Sequence, residues 1–423
     1  MQRFVLKLIF YCLFLICGST PISVAGDFSV GGYVKSYLFL FHPPTVGDSS
    51  GARISPSPEA LWSNRFRLQA SGSPRAWMRL DAAYDLAPRI QSEGMTGNSL
   101  LFGMIDPFSY RAVDLDPDLY PSEPGAVRHF ALGQNLDRAS VTLRFSSADF
   151  TVGRQAIAWG SARVINPTDV LAPFTFETLD TEDRIGVDAV RARIPLGTLS
   201  EIDAGYVFGK DLEFGNSAFF ARTGLNAART DFSVLFMGFR ENLLLGFDLA
   251  RPVGRAGFWL ETAYVFADAL GGENAGVQEN YFRASSGVDY NLTGNTYGFI
   301  EYHFNGAGAA LPRDYVKQQY AEVAYTEGSV YLMGRHYLIP GLAWQYNPLV
   351  SFTFQSLIHM TDPSVFLAPQ VEYNIASDIY LDAGAFVGVG RKPDIGNILE
   401  PVVLRSEFGG YPNIYFASLR RYF

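Results

Sequence analysis

The chain has only two cysteines in 423 residues, Cys12 and Cys17. Residues 18–423 therefore lack cysteine, which excludes disulfides, thiolate metal sites and cysteine nucleophiles from that part of the chain. It also lacks an apolar run of the ~20 residues that a transmembrane helix needs. Basic residues are outnumbered, with 33 Lys and Arg against 42 Asp and Glu. An acidic chain is a poor candidate for general nucleic-acid binding.

The first 25 residues have the pattern of a secretory signal peptide. Arg3 and Lys7 precede an apolar run over 8–17, and small residues follow up to Ala25. An N-terminal anchor is disfavoured because the run is too short to span a bilayer. A lipoprotein signal ending at Cys17 is disfavoured because the bulky Ile16 precedes it. We expect cleavage after Ala25, which takes the net charge from −9 to −11 and leaves one mature domain, 26–423.

The mature part is dominated by a two-residue alternation of apolar and polar side chains. In residues 365–375 the apolar face carries Val365, Leu367, Val371, Tyr373 and Ile375, and the polar face carries Ala368, Gln370, Glu372 and Asn374. Lipid cannot hydrogen-bond a backbone, so strands cross a membrane only within a closed barrel. Alternation then directs apolar side chains to lipid and polar ones to the lumen.

We predict about 18 strands, within a range of 16 to 18. They are 29–39, 61–72, 75–85, 136–146, 149–158, 186–194, 200–208, 217–226, 230–240, 242–251, 255–267, 281–290, 296–304, 330–345, 349–359, 364–375, 378–390 and 411–423. Short connections alternate with long ones, apart from tight connections near Glu241 and Thr361. A soluble sandwich or solenoid has no reason to segregate loop lengths in this way.

The expected fold is therefore all-β, a transmembrane antiparallel barrel with short periplasmic turns and long extracellular loops. Aromatic residues at strand ends, including Trp159 and Tyr411, predict girdles at the membrane interfaces. The last residue, Phe423, resembles the signal by which the barrel-assembly machinery recognises its substrates. We expect a Gram-negative outer membrane, with its lipid and lipopolysaccharide, as the surroundings.

Charged residues lie mainly at those alternate positions of the predicted strands whose side chains are expected to face the lumen. The cations of the first five strands would form a basic wall, and a charged ring selects permeant ions by sign. An equally weighted alternative is a structural hydrogen-bond network that fills the lumen. The predicted lumen-lining residues are Lys35, Arg65, Arg67, Arg79, Asp81, Arg138, Arg144, Arg154, Asp188, Glu261, Glu301, Gln355, Gln370, Glu372 and Asp382.

One strand and the loop after it carry a distinctive set of short motifs. They are Gly153-Arg154-Gln155, Trp159-Gly160, Asn166-Pro167-Thr168-Asp169 and Pro173-Phe174, with a second match at Gly334-Arg335-His336-Tyr337. In these motifs the chain resembles a group of poorly characterised Gram-negative outer-membrane porin-like proteins. The resemblance implies a fold and a location, but it says hardly anything about the substrate.

The loop that carries these motifs is a candidate constriction. Its prolines stiffen it, and a stiff loop at a barrel mouth can fold inward and narrow the lumen. Its acids would then face the basic wall and create a transverse field; an outward or intersubunit position is the alternative. These acids are Asp169, Glu177, Asp180, Glu182 and Asp183.

The longest predicted loop, 86–135, is acidic. It contains Asp106, Asp114, Asp116, Asp118 and Glu123. Clustered carboxylates can bind calcium, but the glycine and distal glutamate of an EF-hand loop are absent. A solvated acidic loop is the favoured interpretation, and we expect no metal and no cofactor.

No His-Glu-x-x-His zinc site occurs in the sequence, and we expect no enzyme. The favoured function is a porin-like channel for passive diffusion of small polar or charged solutes. The alternative is an occluded barrel that acts in export, in adhesion or as a scaffold for partners. A homotrimer is expected only by analogy with general porins.

Overall fold

The computed structural model describes residues 28–47, 52–92, 110–121, 128–271, 278–396 and 402–423. Within these residues, 18 strands pair antiparallel with their neighbours in chain order, and the first strand pairs with the last. The sheet therefore closes on itself, and closure removes the unpaired edges of an open sheet. The predicted all-β barrel is confirmed, whereas the predicted signal peptide at 1–25 lies outside the described residues.

The barrel strands divide into two sets of nine. The first set is β1 Phe28–His42, β2 Glu59–Arg75, β3 Met78–Gln91, β4 Phe130–Arg144, β5 Asp149–Gln155, β6 Val187–Pro195, β7 Glu201–Phe208, β8 Ala218–Ala227 and β9 Thr230–Phe239. The second set is β10 Asn242–Val253, β11 Ala256–Phe266, β12 Tyr281–Thr293, β13 Thr296–Asn305, β14 His336–Asn347, β15 Val350–His359, β16 Ser364–Ala376, β17 Ile379–Val389 and β18 Asn413–Tyr422.

The connections differ between the two ends of the barrel. At one end, the eight connections have two to five residues each. The three longest connections, 92–129, 156–186 and 306–335, are all at the other end. The predicted segregation of short turns and long loops is therefore confirmed. The backbone of Phe423 pairs with Gly32 at the short-turn end, so the last residue completes the closure.

The predicted boundaries are wrong around the second, third and fourth strands. The turn expected at Gly72-Ser73-Pro74 lies at 76–77, because β2 continues through a register irregularity to Arg75. Strand β3 extends to Gln91, and β4 begins at Phe130. The pairing of these two strands shifts at Asp137, and such a bulge reverses the alternation. The change of parity in β4 made its segment 130–135 look like loop.

Two other boundaries are also corrected. The strand predicted over 330–345 begins at His336, because residues 330–335 belong to an inward-folded connection. That connection contains a 3₁₀ turn at Pro312–Asp314 and the helices α1 Tyr315–Ala321 and α2 Val323–Thr326. The strand predicted over 149–158 ends at Gln155.

Several shorter elements accompany the barrel. Asp118–Tyr120 pairs with β4, and a separate small sheet joins Val46–Gly47, Arg53–Ile54, Asp394–Ile395 and Val402–Val403. Further 3₁₀ turns are Lys210–Leu212, Phe214–Asn216 and Phe408–Gly410. None of the helices in the described ranges is long and apolar enough to cross a membrane.

The two faces of the barrel wall differ in packing. On β9, Leu235 and Met237 are buried on the inner face, whereas Val234 and Phe236 on the outer face are exposed. Exposed apolar side chains recur on the outer face of other strands, including Leu38, Leu68, Ile300 and Leu381. An apolar exterior with a polar and packed interior is the pattern of a barrel in lipid.

Two apolar clusters fill the interior toward the long-loop end. One packs Val170 and Leu171 against Tyr325 and the wall residue Met237. The other packs Phe176 against the wall and against Phe408. The inward-folded connections therefore have a hydrophobic core of their own inside the barrel.

The outward direction of Val234 predicts the effect of a charge at that position. Val234 lies in the middle of β9 and pairs with Phe247 of β10, so Val234→Arg places a cation near the bilayer midplane. We expect a loss of about 2–4 kcal/mol in the free energy of unfolding in lipid vesicles. Denaturant titration with tryptophan fluorescence measures the loss, and Val234→Phe is the control. Equal stability of Val234→Arg and the control would contradict the outward assignment.

Candidate functional site

Cations of β1 and β2 contact acids of the connection 156–186, here called the inner segment. Lys35 is fully buried, with its Nζ 2.8 Å from Asp180 Oδ1 and 2.6 Å from Glu182 Oε2. Arg65 donates from Nη2 to Asp85 Oδ2 at 2.8 Å, and its Nη1 lies 3.5 Å from Asp180. Burial alone would raise the pKa of Asp180, but Lys35 and Arg65 outweigh it and lower the pKa.

A buried ion network joins β2, β3 and β4. Arg67 donates to Asp85 at 3.1 Å and to Asp137 at 2.7 Å. Asp137 also accepts from Arg138 Nη1 at 2.7 Å and from the backbone N–H of Gly186 at 3.0 Å. Sequence reasoning missed Asp137, because the bulge takes it out of the alternation that marked the other interior residues.

Arg154 of β5 is held by two carboxylates. It donates to Asp188 Oδ1 and to Asp114 Oδ1, each at 2.7 Å. Asp114 also accepts from Arg111 Nη1 at 2.6 Å. Burial would raise the pKa of Asp114, but the hydrogen bonds from these arginines outweigh it and lower the pKa. Asp114 is therefore an anchor of its connection, and the interpretation as a solvated loop acid is wrong for this residue.

The other acids of this connection differ in position. Asp116 and Asp118 are exposed, and Asp106 and Glu123 lie outside the described residues. Over the part of the chain that the structure covers, no group of three or more His, Asp or Glu side chains could hold a metal ion.

A second group of charged residues lies on β16, β17 and β18. Asp382 accepts from Arg420 Nε at 2.8 Å and from Ser418 Oγ at 2.9 Å. Arg420 also donates to Glu372, and Gln370 lies 3.4 Å from Asp382. Sequence reasoning overlooked Arg420. Since Arg420 directly follows the outward-facing Leu419 in the strand, alternation places it on the interior face.

The remaining predicted residues are less constrained. Arg79 donates to Asp81 at 2.8 Å, and both side chains are partly exposed. Arg144, at the end of β4, is exposed and has no side-chain partner among the described residues. Gln355 of β15 is half-buried.

The inner segment follows the interior wall around the barrel. Its successive contacts are Trp159 Nε1 to Asp203 of β7 at 3.1 Å, Ile165 O to Ser285 of β12 at 2.6 Å, and Asp183 to Tyr33 of β1 at 2.8 Å. Along the inner segment the contacts are first with β7, then with β12 and then with β1, which is the order of these strands around the barrel. The segment therefore lies inside the barrel and passes along opposite sides of the wall.

Glu261 of β11 binds the beginning of the inner segment. Its Oε2 accepts from the backbone N–H groups of Ser161 and Ala162, each at 3.1 Å, and from Asn166 Nδ2 at 3.0 Å. Its Oε1 accepts from the backbone N–H and the hydroxyl of Thr168, at 2.9 and 2.7 Å. All five donors are neutral groups.

Glu301 of β13 binds the backbone of residues 163–165. Its Oε2 accepts from the N–H of Arg163 at 2.7 Å and of Val164 at 3.4 Å, and from Trp259 Nε1 at 3.1 Å. Its Oε1 accepts from the N–H of Ile165 at 3.0 Å. Glu261 and Glu301 together therefore bind most of the backbone amides from 161 to 168.

These contacts correct the assignment of Glu261 and Glu301 as lumen-lining charges. Both residues are 0% exposed because the inner segment covers them. Lys35, Arg67, Arg154 and Asp382 are likewise buried in ion pairs. Trp159 and Tyr411 point inward, the latter against Phe176, so neither is a girdle residue. Among the predicted residues, those left at least partly accessible are Arg65, Arg79, Asp81, Arg138, Arg144, Asp188, Gln355, Gln370 and Glu372.

The contacts of Glu261 also explain part of the motif set in physical terms. Gly160 has a φ of +116°, a conformation that glycine adopts without steric cost. A Cβ at this position would collide with Asn166 Nδ2 and lie 2.7 Å from Glu261 Oε2. Gly160, Asn166 and Thr168 are thus the residue types that allow the chain to fold around this carboxylate.

The far part of the inner segment is held by Arg184. Its Nη1 donates to Asp169 Oδ2 and to Ala172 O, at 2.5 and 2.6 Å, and its guanidinium lies 4.0 Å from the ring centre of Phe174. Burial raises the pKa of Asp169 despite the opposing effect of Arg184. Burial also raises the pKa of Glu177 to about 8.

Glu407 belongs to the connection 390–412 between β17 and β18, and it binds the end of the inward-folded helical connection, 306–335. Its carboxylate accepts from the N–H of Met333 at 2.9 Å and of Gly334 at 3.3 Å, and from the hydroxyl of Tyr337. His359 Nε2 lies 3.4 Å from the same carboxylate. Burial raises the pKa of Glu407 to about 7, so its charge changes near neutral pH.

The closed strand order defines the fold class, a closed 18-stranded antiparallel β-barrel. No protein-family model matches the chain, and no curated protein matches its sequence.

Solved structures do match the fold. OccK9 (OpdG) of Pseudomonas aeruginosa matches with a TM-score of 0.56 and 10% identity, over 94% of this chain and 98% of that chain. OccAB4 of Acinetobacter baumannii matches with a TM-score of 0.55 and 8% identity, over 93% and 98%. The outer membrane protein OpdK of P. aeruginosa, also solved with vanillate, matches with a TM-score of 0.54 and 8% identity, over 94% and 98%. At such identities the likeness shows the fold alone.

The position of Gly160 predicts a local effect of Gly160→Ala. The added methyl group would strain the backbone and disturb the Glu261 contacts, at a cost of about 1–3 kcal/mol. We expect faster proteolysis within 156–186 while the barrel stays folded. Gly197→Ala is the matched control, because Gly197 also has a positive φ but nothing within 4 Å of its Cβ position. Equal proteolysis of the two variants would exclude the collision as the cause.

The pKa of Glu407 predicts a pH dependence of its contacts. The folded pKa, about 7, lies above the ordinary value of 4.5, so the folded state binds the proton more tightly than the unfolded chain. The contact should therefore lose stability, by about 3 kcal/mol, as the pH rises from about 4.5 to about 7. Hydrogen exchange at the amides of Met333 and Gly334, corrected for intrinsic rates, measures this loss. Glu407→Gln should abolish the dependence, and a persistent slope in this variant would assign it to another group.

Proposed function

We propose that the chain forms an outer-membrane channel through which small polar or charged solutes diffuse passively along an arginine-rich wall. The observation that carries this proposal is a cavity of about 660 Å³ at the short-turn end, inside the barrel. Its lining includes Arg67, Arg79, Arg138, Arg191 and Arg193. Five cations face two acids in this lining, Asp81 and Asp183, and a low-dielectric wall with such an excess of one sign focuses the field on a passing solute.

The neutralisation of this wall is uneven. Arg67 and Arg138 share Asp137, and Arg191 pairs with Asp203 at 2.6 Å. Arg193, by contrast, has neither a side-chain hydrogen bond nor an ion pair with any described residue. Ion pairs hold the deeper arginines in place, while Arg193 and the exposed Arg144 keep their charge available to a solute.

The inner segment is proposed as the constriction. Asp180, Glu182 and Asp183 lie against the wall at β1 and β18, where Tyr422 donates to Glu182 at 2.7 Å. Asp180 and Glu182 border a second cavity, of about 610 Å³, whose other acids include Glu372 and Asp382. The two cavities therefore differ in sign, because arginines predominate in the first lining and acids in the second.

The comparison with OpdK supports a charged solute. That protein was solved with vanillate, whose carboxylate is anionic at neutral pH. Arginine suits carboxylates because its planar fork can donate two parallel hydrogen bonds. We extend this chemistry to the present chain as part of the proposal, without choosing among anionic solutes.

An occluded barrel with a role in export, adhesion or scaffolding is the second candidate. It is favoured by the two apolar clusters, because they pack the inner segment and the helical connection across much of the interior. Deletion of the inner segment should raise the conductance of an occluded barrel sharply.

Location and partners complete the proposal. The apolar outer face favours outer-membrane lipid and lipopolysaccharide as surroundings. Export through a signal peptide at 1–25, recognition of Phe423 by the assembly machinery and a homotrimer remain predictions.

Single-channel recording in planar bilayers tests the function. We expect stepwise currents from the wild-type protein with a preference for anions. Arg193→Glu and Arg144→Glu should move the reversal potential in a salt gradient toward cations, because each replaces an available positive charge with a negative one. Arg405→Glu is the control, since Arg405 pairs with Asp394 in the small sheet outside the barrel. Folded protein that never conducts would refute the channel.

A further inference from the structure

Two interior carboxylates, Glu261 and Glu301, have an unusual environment. Both are fully buried, and among the described residues neither pairs with a cation. Nine hydrogen bonds replace such a pair, and six of their donors are backbone N–H groups between 161 and 168. A buried charge is costly unless it is fully hydrogen-bonded. The carboxylates and this part of the chain therefore stabilise each other.

The backbone from 161 to 168 has the character of an anion nest. Successive N–H groups of a curved backbone can converge on one anion, and here they converge on two carboxylates of the wall. Departure of this stretch from the wall would leave Glu261 without any of these donors, Glu301 with Trp259 alone, and six amides without acceptors. The contact should therefore open as a unit.

The location of the contact matters because of the barrel geometry. The other end of the inner segment is fixed at β1 and β4, through Lys35 and Asp137. Strand β12 is nine strands away from β3 in a ring of 18, so the Glu261 and Glu301 contacts lie on the opposite wall. Without them, the hydrogen bonds that hold residues 161–168 to this wall fall to those of Ile165 O with Ser285 and of Arg163 with Asp289, and the stretch is freer to move into the lumen.

We propose that Glu261 and Glu301 are positioning residues that hold the inner segment against β11–β13 and thereby keep the pore in one conductance level. This inference rests on the proposed channel function. It assigns these two carboxylates no contact with the solute. Their charge serves to bind the protein's own backbone, and the pore stays wide as long as both remain ionised and bonded.

Glu261→Gln and Glu301→Gln, recorded as single channels, test the proposal. Each variant keeps the side-chain volume but turns an NH₂ group toward N–H donors. Loss of a hydrogen bond to a charged group shifts a two-state equilibrium by about tenfold or more. We expect the fraction of time in reduced-current levels to rise by about that factor, with the full level unchanged in size.

Glu372→Gln is the matched control. It also removes an interior carboxylate, but Glu372 bonds Arg420 and makes no hydrogen bond to the inner segment. We expect a changed ion selectivity and steady currents from this variant. If fluctuation followed the loss of any interior charge, Glu372→Gln would fluctuate as well, and the positioning role would be refuted.

Two further variants separate position from charge. Gly160→Ala alters no charge but disturbs the Glu261 contacts, so it should fluctuate like the glutamine variants. Glu301→Asp keeps the charge with a shorter reach and should restore part of the stability of the full level. Heat-dependent migration in gels verifies that each barrel is folded, and Glu301→Asp decides the question if a glutamine variant does not fold.

The outcomes distinguish the inference from the function on which it rests. Currents as steady as wild type from both glutamine variants would overturn the positioning role while leaving the channel intact. A wild-type protein that folds but never conducts would overturn the channel and the inference together.

Discussion

Backbone amides inside a closed barrel need acceptors, and the architecture of this interior depends on how the chain supplies them. A segment folded into the lumen lacks a sheet partner, and an unpaired buried N–H group costs free energy. Here wall carboxylates supply the acceptors. Glu261 and Glu301 bind residues 161–168, Asp137 binds Gly186, and Asp188 binds Ala112 at 3.0 Å.

Two of these carboxylates, Asp137 and Asp188, also pair with arginines, so much of the interior charge is neutralised in ion pairs. Arg67 and Arg154 are buried in ion pairs, and Arg138 is partly buried in another; these pairs orient both the arginines and the inner connections. The two interpretations of the basic wall are therefore complementary. Buried pairs build the interior, and the less buried arginines, Arg79 and Arg193 among them, lie toward the short-turn end.

The likeness to outer-membrane barrels at 8–10% identity fits this division of tasks. Closure needs only alternation and turns, which many sequences satisfy. Interior contacts such as those of Glu261 need particular residues at particular positions. The fold can therefore persist while the interior changes.

The sequence by itself determined the closed barrel, the number of strands and the segregation of short turns, because two-residue alternation and turn residues are local signals. It also marked Arg67 and Glu301 as interior by parity. Only the tertiary structure decided which interior charges remain accessible, since Glu301 is covered by residues more than 130 positions away. The bulge at Asp137 and the inward turn of Trp159 were decided there too, because pairing register and loop packing depend on distant parts of the chain.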